Sequence, residues 1–393
     1  MRLLPPVAAA ALALTLIPAP TQAGQPVVEQ QTQVAAKHGV SARKATVPRL
    51  KITKLRTGLD LVWDVKPFSA SKLLFTQRDK ATLSTLSGGK VHRVKGFPSH
   101  KVWVSGETGL LGLYVDPINH QRIYTCQGWQ TRAGGHDVRV IAWHLDKKAT
   151  RIRKDKVLIK GLPSTSGRHG GCRLLVDGEG SLIVGTGDAA TGTNPENVDS
   201  LGGKTLRISR RTGEPWPTNR FINSAKDRRY VHTYGHRNVQ GLALRADGTV
   251  WSMEHGPDRD DEVNFLANGA DYGWNPVPGY NEAVPMTDQD LPADQVEARW
   301  SSGYPTVATS GGTFVYGSEW GALNGTLAVA CLKAGQVMFL KFDKVGKFVK
   351  GHIPPRLTKF GRLRTVTQMP NGSLLVATSN GGDADMILRV SPK

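Results

Sequence analysis

The chain has 393 residues and a formal net charge of +19, from 51 Lys and Arg against 32 Asp and Glu. Such a balance keeps a surface solvated, and because the basic residues read as scattered, with no aromatic-basic motif among them, no nucleic-acid partner is expected. Gly (44) and Pro (23) are abundant and sustained helical periodicity is absent, which points to an all-β chain with many turns.

At the N-terminus Arg2 precedes an apolar run from Val7 to Ile17, then Pro-Ala-Pro and Thr21-Gln22-Ala23. This is the pattern of a secretory signal peptide over residues 1–23, cleaved after Ala23, with a secreted or periplasmic destination. The run is too short to cross a bilayer, and no later segment reaches roughly 18 uninterrupted apolar residues, so no membrane span is expected. Residues 24–48 are polar, Gln-rich and basic, the composition of a flexible leader. The folded domain is therefore expected over 49–393.

One pattern then recurs six times: a short apolar strand, a turn rich in Asp, Asn, Pro or Gly, and a strand ending in small or polar residues. The copies begin at Leu61, Leu111, Cys172, Leu242, Phe314 and Thr365. Asp247-Gly248 and Asn371-Gly372 suit tight hairpins because both residue types tolerate positive φ. The intervals exceed a WD-type repeat and leave room for four strands each. Six copies predict a six-bladed β-propeller of four-stranded antiparallel blades, closed into a ring with protected edges. A β-sandwich gives no reason for the second strand of every copy to end in chemically capable residues; a propeller gathers those ends on one face.

Along the chain those ends read HGGCR, GHRNVQGL, EHGPDRDDEVN, YGWNPVPGY, CLKAG and GRLRTV. In this order, with GHRN followed by EHGP-x-x-x-DE-x-N as the specific part, the sequence resembles the soluble PQQ-dependent aldose dehydrogenases of the glucose/sorbosone type. The resemblance implies PQQ and Ca2+ as cofactors, an aldose sugar as substrate and an external electron acceptor. It also implies a general base at His169, four residues before Arg173, with Arg237 as its catalytic companion. An imidazole titrates near neutrality and can take a sugar hydroxyl proton, an effect typically worth ~10²–10⁴ in rate.

The same resemblance assigns Glu107, Arg237, Asn238, Lys333, Arg362 and Arg364 to the cofactor, whose three carboxylates call for fixed cations. The alternation Arg362-Leu363-Arg364 predicts both guanidinium groups on one strand face. Gly256 and Pro257 match a pair of carbonyl ligands for calcium, a hard cation that takes oxygen donors. Glu262, Tyr272, Pro278, Tyr280 and Glu282 match a second, structural calcium position, although the acidic run Asp258 to Glu262 also reads as a solvated turn.

Three departures bear on the sugar more than on the quinone cradle. Glu107 stands where some relatives have a glutamine near both sugar and quinone, Arg168 where the best-known glucose oxidisers have an acid, and Thr193-Asn194 where a glutamine is expected. Two other readings use the same fold: a non-catalytic extracellular binding propeller, and a calcium-dependent propeller lactonase. Neither needs His169 together with Lys333, Arg362 and Arg364.

The three cysteines are Cys126, Cys172 and Cys331. No Cys-x-x-Cys-His occurs, so no covalent c-type haem is expected. Adjacent blades bring the end of the second copy to the start of the third, which predicts a Cys126–Cys172 disulfide in an oxidising compartment and leaves Cys331 free.

Overall fold

The structure is a computed structural model that describes residues 45–393. The signal peptide assigned to 1–23, and the leader as far as residue 44, lie outside the described residues. Strand β1 (Leu50–Leu59) comes first and belongs to the last blade. Blade one is β2 (Val62–Ser69), β3 (Lys72–Gln77), β4 (Thr82–Ser87) and β5 (Lys90–Arg93); blade two is β6 (Leu110–Val115), β7 (Arg122–Gln130), β8 (His136–Leu145) and β9 (Ile152–Leu162). Blade three is β10 (Arg173–Val176), β11 (Leu182–Gly185), β12 (Thr205–Ile208) and β13 (Val231–Thr233). Blade four is β14 (Val239–Leu244), β15 (Val250–Glu254), β16 (Glu262–Phe265) and β17 (Trp300–Ser301). Blade five is β18 (Thr309–Phe314), β19 (Leu327–Cys331), β20 (Gln336–Phe342) and β21 (Phe348–His352); blade six is β22 (Leu363–Gln368), β23 (Leu374–Thr378), β24 (Asp385–Pro392) and β1.

Each blade is a four-stranded antiparallel meander, and the six expected copies are the inner hairpins of the six blades. Their inner strands are buried on both faces, as in β10, β11 and β14, where every residue is buried. Alternate side chains therefore serve two neighbours: Leu182 and Val184 pack toward blade two, whereas Ile183 packs toward blade four. Buried apolar residues form six clusters, one in each seam between adjacent blades. Six filled seams close the ring.

Closure is completed from both ends of the domain. β1 pairs antiparallel with β24, from Leu50 opposite Pro392 to Leu59 opposite Asp385. A bridge between Cys126 of β7 and Cys172, one residue before β10, ties blade two to blade three across a Cα separation of 5.5 Å. The predicted pairing is thus present, and Cys331 is buried and free.

Candidate active site

Strand direction sets the position of the site. Innermost strands start at one face of the ring, where Glu107 leads into β6, His169 into β10, Arg237 and Asn238 into β14, and Arg362 into β22. The second strands β11, β15 and β19 return to the same face and deliver Asp188, His255 and Lys333. Residues far apart in sequence meet there because the ring closes.

His169 sits in a turn held unusually tightly. Its own φ is 52° and that of Cys172 is 80°, left-handed values that side chains with a Cβ adopt only where packing enforces them. Gly187 on the neighbouring turn has no alternative, since a Cβ there would lie 1.9 Å from the His169 carbonyl oxygen. The imidazole is 3% exposed and its Nδ1 lies 2.8 Å from Asp188 Oδ1. Asp188 is fully buried and also accepts hydrogen bonds from Trp274 Nε1 (2.9 Å), Tyr280 Oη (2.7 Å) and the Ala190 amide (2.7 Å). A carboxylate on that side calls for the proton on Nδ1, which leaves the Nε2 lone pair free to accept. Burial, with the charge of Asp188 added, pushes the Tyr280 phenol up, so it remains a neutral donor.

Glu107 and Asn238 form the adjoining edge. Glu107 Oε2 accepts the His169 amide at 3.0 Å and the Asn238 side-chain nitrogen at 3.4 Å. Asn238 Oδ1 in turn accepts the Gly171 amide (3.2 Å) and Gln240 Nε2 (3.0 Å). These bonds couple the turn that carries His169 to blade four.

Arg237 is buried over Trp274, donates from Nη1 to the His255 carbonyl at 3.1 Å and reaches Glu282 from Nη2. Arg364 is buried without a carboxylate partner; it donates to Gln240 Oε1 (2.8 Å) and Ser310 Oγ (3.3 Å), and its Nε has no partner. Burial and the neighbouring charges of Arg173 and Arg78 lower its pKa to about 9. Lys333 is exposed and donates to Thr306 Oγ1 at 2.9 Å. Arg362 is exposed at the rim. The expected alternation therefore holds only in part: Arg364 lies inside β22 and is buried, whereas Arg362 precedes the strand.

Gly256 and Pro257 follow β15, in a turn that Asp261 organises by accepting the amides of Gly256 (3.0 Å) and Val307 (2.6 Å). Among the described residues neither carbonyl accepts a hydrogen bond from the protein. The residues expected at a second calcium position divide into two neighbourhoods. Glu262 is buried and shares Asn264 with Glu254, burial and the Glu254 charge raising its pKa, and the Tyr272 hydroxyl donates to the Phe265 carbonyl. Tyr280 and Glu282, in the loop that also carries Pro278, instead turn their side chains to His169–Asp188 and to the arginines. No group of three or more His, Cys, Asp or Glu side chains is placed to hold a metal among the described residues.

The departures from the family pattern have visible uses. Arg168 pairs with Glu282 at 2.7 Å and lies over the Tyr280 ring at 5.6 Å. Although burial raises it, hydrogen bonds from Arg168 and Arg237 hold the Glu282 carboxyl below its ordinary range. Asn194 donates to the Asp188 carbonyl (2.8 Å) and accepts from Ser200 (2.9 Å), so it holds its own loop. Sequence reasoning missed Asp188, Trp274 and His255. Asp188 had a signal, as the last residue of a repeat that ends in GTGD. His255 had one in the EHGP motif: its Nε2 is buried without a partner, and burial together with Arg364, Arg237 and His169 holds the ring neutral.

The family model for glucose/sorbosone dehydrogenases matches residues 59–389. The aldose sugar dehydrogenase YliI of Escherichia coli is 28% identical over 376 residues, covering 90% of this chain and 96% of that protein. The structure of the PQQ-bound form of an aldose sugar dehydrogenase from Streptomyces coelicolor superposes with a TM-score of 0.73 at 26% identity, over 88% of this chain and 100% of that one. The apo-form of the soluble aldose sugar dehydrogenase from Escherichia coli gives 0.77 at 25% identity, with the same coverage of both chains.

Proposed function

Because the chain belongs to the glucose/sorbosone dehydrogenase family, we propose that it is a PQQ- and calcium-dependent dehydrogenase that oxidises the C1 hydroxyl of an aldose to the lactone. The observation that carries this reading is a fixed imidazole on the face of the ring that also carries Arg364, Lys333 and Arg362, three cations without acidic partners among the described residues. A buried guanidinium with an unpartnered Nε is costly unless an anion completes it, so these residues fit a planar polycarboxylate. Bound there, PQQ would supply the hydride acceptor and calcium, on the Gly256 and Pro257 carbonyls, its polarisation.

The chain's own residues do the rest. Arg364, Lys333 and Arg362 hold carboxylates, and Arg237 and Asn238 orient the cofactor against the turn that carries His169. His169 Nε2 takes the C1 hydroxyl proton as the hydride leaves the same carbon, and Asp188 stabilises the imidazolium so formed. The proton then passes to solvent and the electrons to an external acceptor. Glu107, Arg168 and Glu282 sit at the mouth and are the residues that choose among sugars. A lactonase gives the partnerless cations no task, and a non-catalytic binding propeller gives none to the fixed imidazole.

The test is reconstitution of the purified protein. Dye reduction driven by an aldose should need both added PQQ and Ca2+, and Arg364→Ala or Lys333→Ala should weaken quinone binding, followed by absorption titration, by about 10-fold or more. Full activity after exhaustive chelation and without quinone would overturn the proposal.

A further inference from the structure

Along the sequence the basic residues are scattered, but the fold gathers a share of them on one side. Residues 90–101 and 146–160 together carry eleven Lys and Arg against two Asp. The first segment is β5 and its continuation on the outside of blade one; the second is the β8–β9 turn and β9 on the outside of blade two. A bridge between Lys95 and Arg151 joins them, with the Lys95 amide on the Thr150 carbonyl (2.9 Å) and the Ile152 amide on the Lys95 carbonyl (2.8 Å). They form one continuous flank.

All eleven cations are exposed, and none forms an ion pair among the described residues. The two acids are already engaged, Asp155 with Arg122 at 2.6 Å and Asp146 with the Thr150 amide and hydroxyl, both at 2.6 Å. Lysines on exposed edge strands discourage strand pairing, which accounts for Lys51 and Lys54 on β1. Edge protection does not call for Lys147 and Lys148 in a turn, nor for one sign of charge across two blades, whose self-repulsion is unfavourable without a counter-charge.

Third strands run in the same direction as first strands, away from the active-site face, so Lys147 and Lys148 after β8 lie toward the opposite face of the ring. An object bound on this flank leaves the mouth beside His169 open. β9 has eleven residues, about 36 Å of extended chain, room for several sugar units. Eight of the eleven cations are lysines, flexible point charges suited to a diffuse anion. Neither β5 nor β9 carries an exposed Phe, Tyr or Trp for stacking on bases or an exposed large hydrophobic for insertion into a bilayer.

We propose that the outer flank of blades one and two is a docking surface for an anionic polysaccharide with a carboxylate on its repeating sugars, which tethers the enzyme with its active-site mouth free. The inference does not depend on the dehydrogenase reading, and its test reads binding rather than turnover. Binding of the purified protein to immobilised sodium polygalacturonate is followed as salt is raised through about 0.15 M. One variant carries Lys147, Lys148, Arg151, Lys154 and Lys156, each →Gln; a control of equal net charge carries Lys341, Lys344, Lys347, Lys350 and Lys359 on and after blade five, each →Gln.

The flank variant should lose at least ~10-fold in affinity and show a shallower salt dependence, while the control stays within about 2-fold. Melting temperatures of both should match the parent, because the substituted side chains are exposed and unpaired. Equal losses in the two variants would reduce the effect to net charge and overturn the proposal. So would absence of binding by the parent, or tighter binding to duplex DNA or to phosphatidylglycerol vesicles at matched charge.

Discussion

The role proposed for His169 rests on the groups that hold its ring. Asp188 contributes a buried carboxylate that fixes the ring tautomer, and Trp274, Tyr280 and the Ala190 amide keep that carboxylate in place. Asp188→Asn keeps the shape but presents an amide that can donate to Nδ1 and so move the ring proton to Nε2, where it blocks the lone pair. His169→Gln should therefore lower kcat by at least ~10²-fold, and Asp188→Asn by a smaller factor of about 10-fold, with KM and quinone affinity nearly unchanged in both. Because both variants act through one imidazole, the double variant should be little worse than His169→Gln alone. Steady-state kinetics beside an absorption titration separates the outcomes. A fall in quinone affinity equal to the fall in kcat would return both residues to a purely structural role.

Each blade contributes one strongly marked hairpin and two poorly marked strands, which explains what could be seen in the sequence. The inner hairpins are largely buried and rich in apolar residues, and they are bounded by turns such as Asp247-Gly248, so all six were legible. Outer strands are short or exposed: β17 has two residues, β13 has three, and β5 reads Lys-Val-His-Arg, none of them long enough for a periodicity to emerge. The cationic turns were legible from motif order, whereas Asp188, Trp274 and the flank of blades one and two depend on which turns face each other. The disulfide was legible because its two cysteines lie near the end of one repeat motif and at the start of the next, although β7 runs on past Cys126 to Gln130. It closes a loop with a sequence separation of 46 residues, so in the chain-entropy account Cys126→Ala/Cys172→Ala should lower unfolding free energy by roughly 4 kcal/mol. Denaturant titration reads that loss; the turn carrying His169 should also loosen, seen as faster amide exchange at Gly170 and Gly171. Unchanged stability and exchange would mean that packing of Leu111, Leu174 and their neighbours alone holds the seam.

At the scale of the whole ring, the decisive element is the one strand that comes from the other end of the domain. β1 supplies the outer edge of blade six, and its Leu59 and Leu55 fill the seam between blades six and one beside Ile387 and Leu375. Leu50 does the same in the seam between blades five and six. Leu50 and Leu59 are 3% and 4% exposed, and burying a leucine is worth about 1.5–3 kcal/mol. Two such residues, with the β1–β24 ladder added, amount to a large part of a domain stability of about 5–15 kcal/mol. A chain beginning at Asp60 should therefore lose cooperative unfolding or melt far below the parent, with β24 left as an unprotected edge that favours aggregation. Leu50→Asp and Leu59→Asp, which keep every backbone hydrogen bond, separate seam packing from strand pairing: each should lower the melting temperature by several degrees, and the two together more than either. Adding a synthetic peptide of residues 45–60 to the shortened chain should restore part of the loss, because the peptide can re-form the ladder from Leu50–Pro392 to Leu59–Asp385 without covalent connection. Removal of residues 1–44 should carry no such penalty. A shortened chain that melted cooperatively at the parent temperature would show that five four-stranded blades and one of three suffice to close the ring.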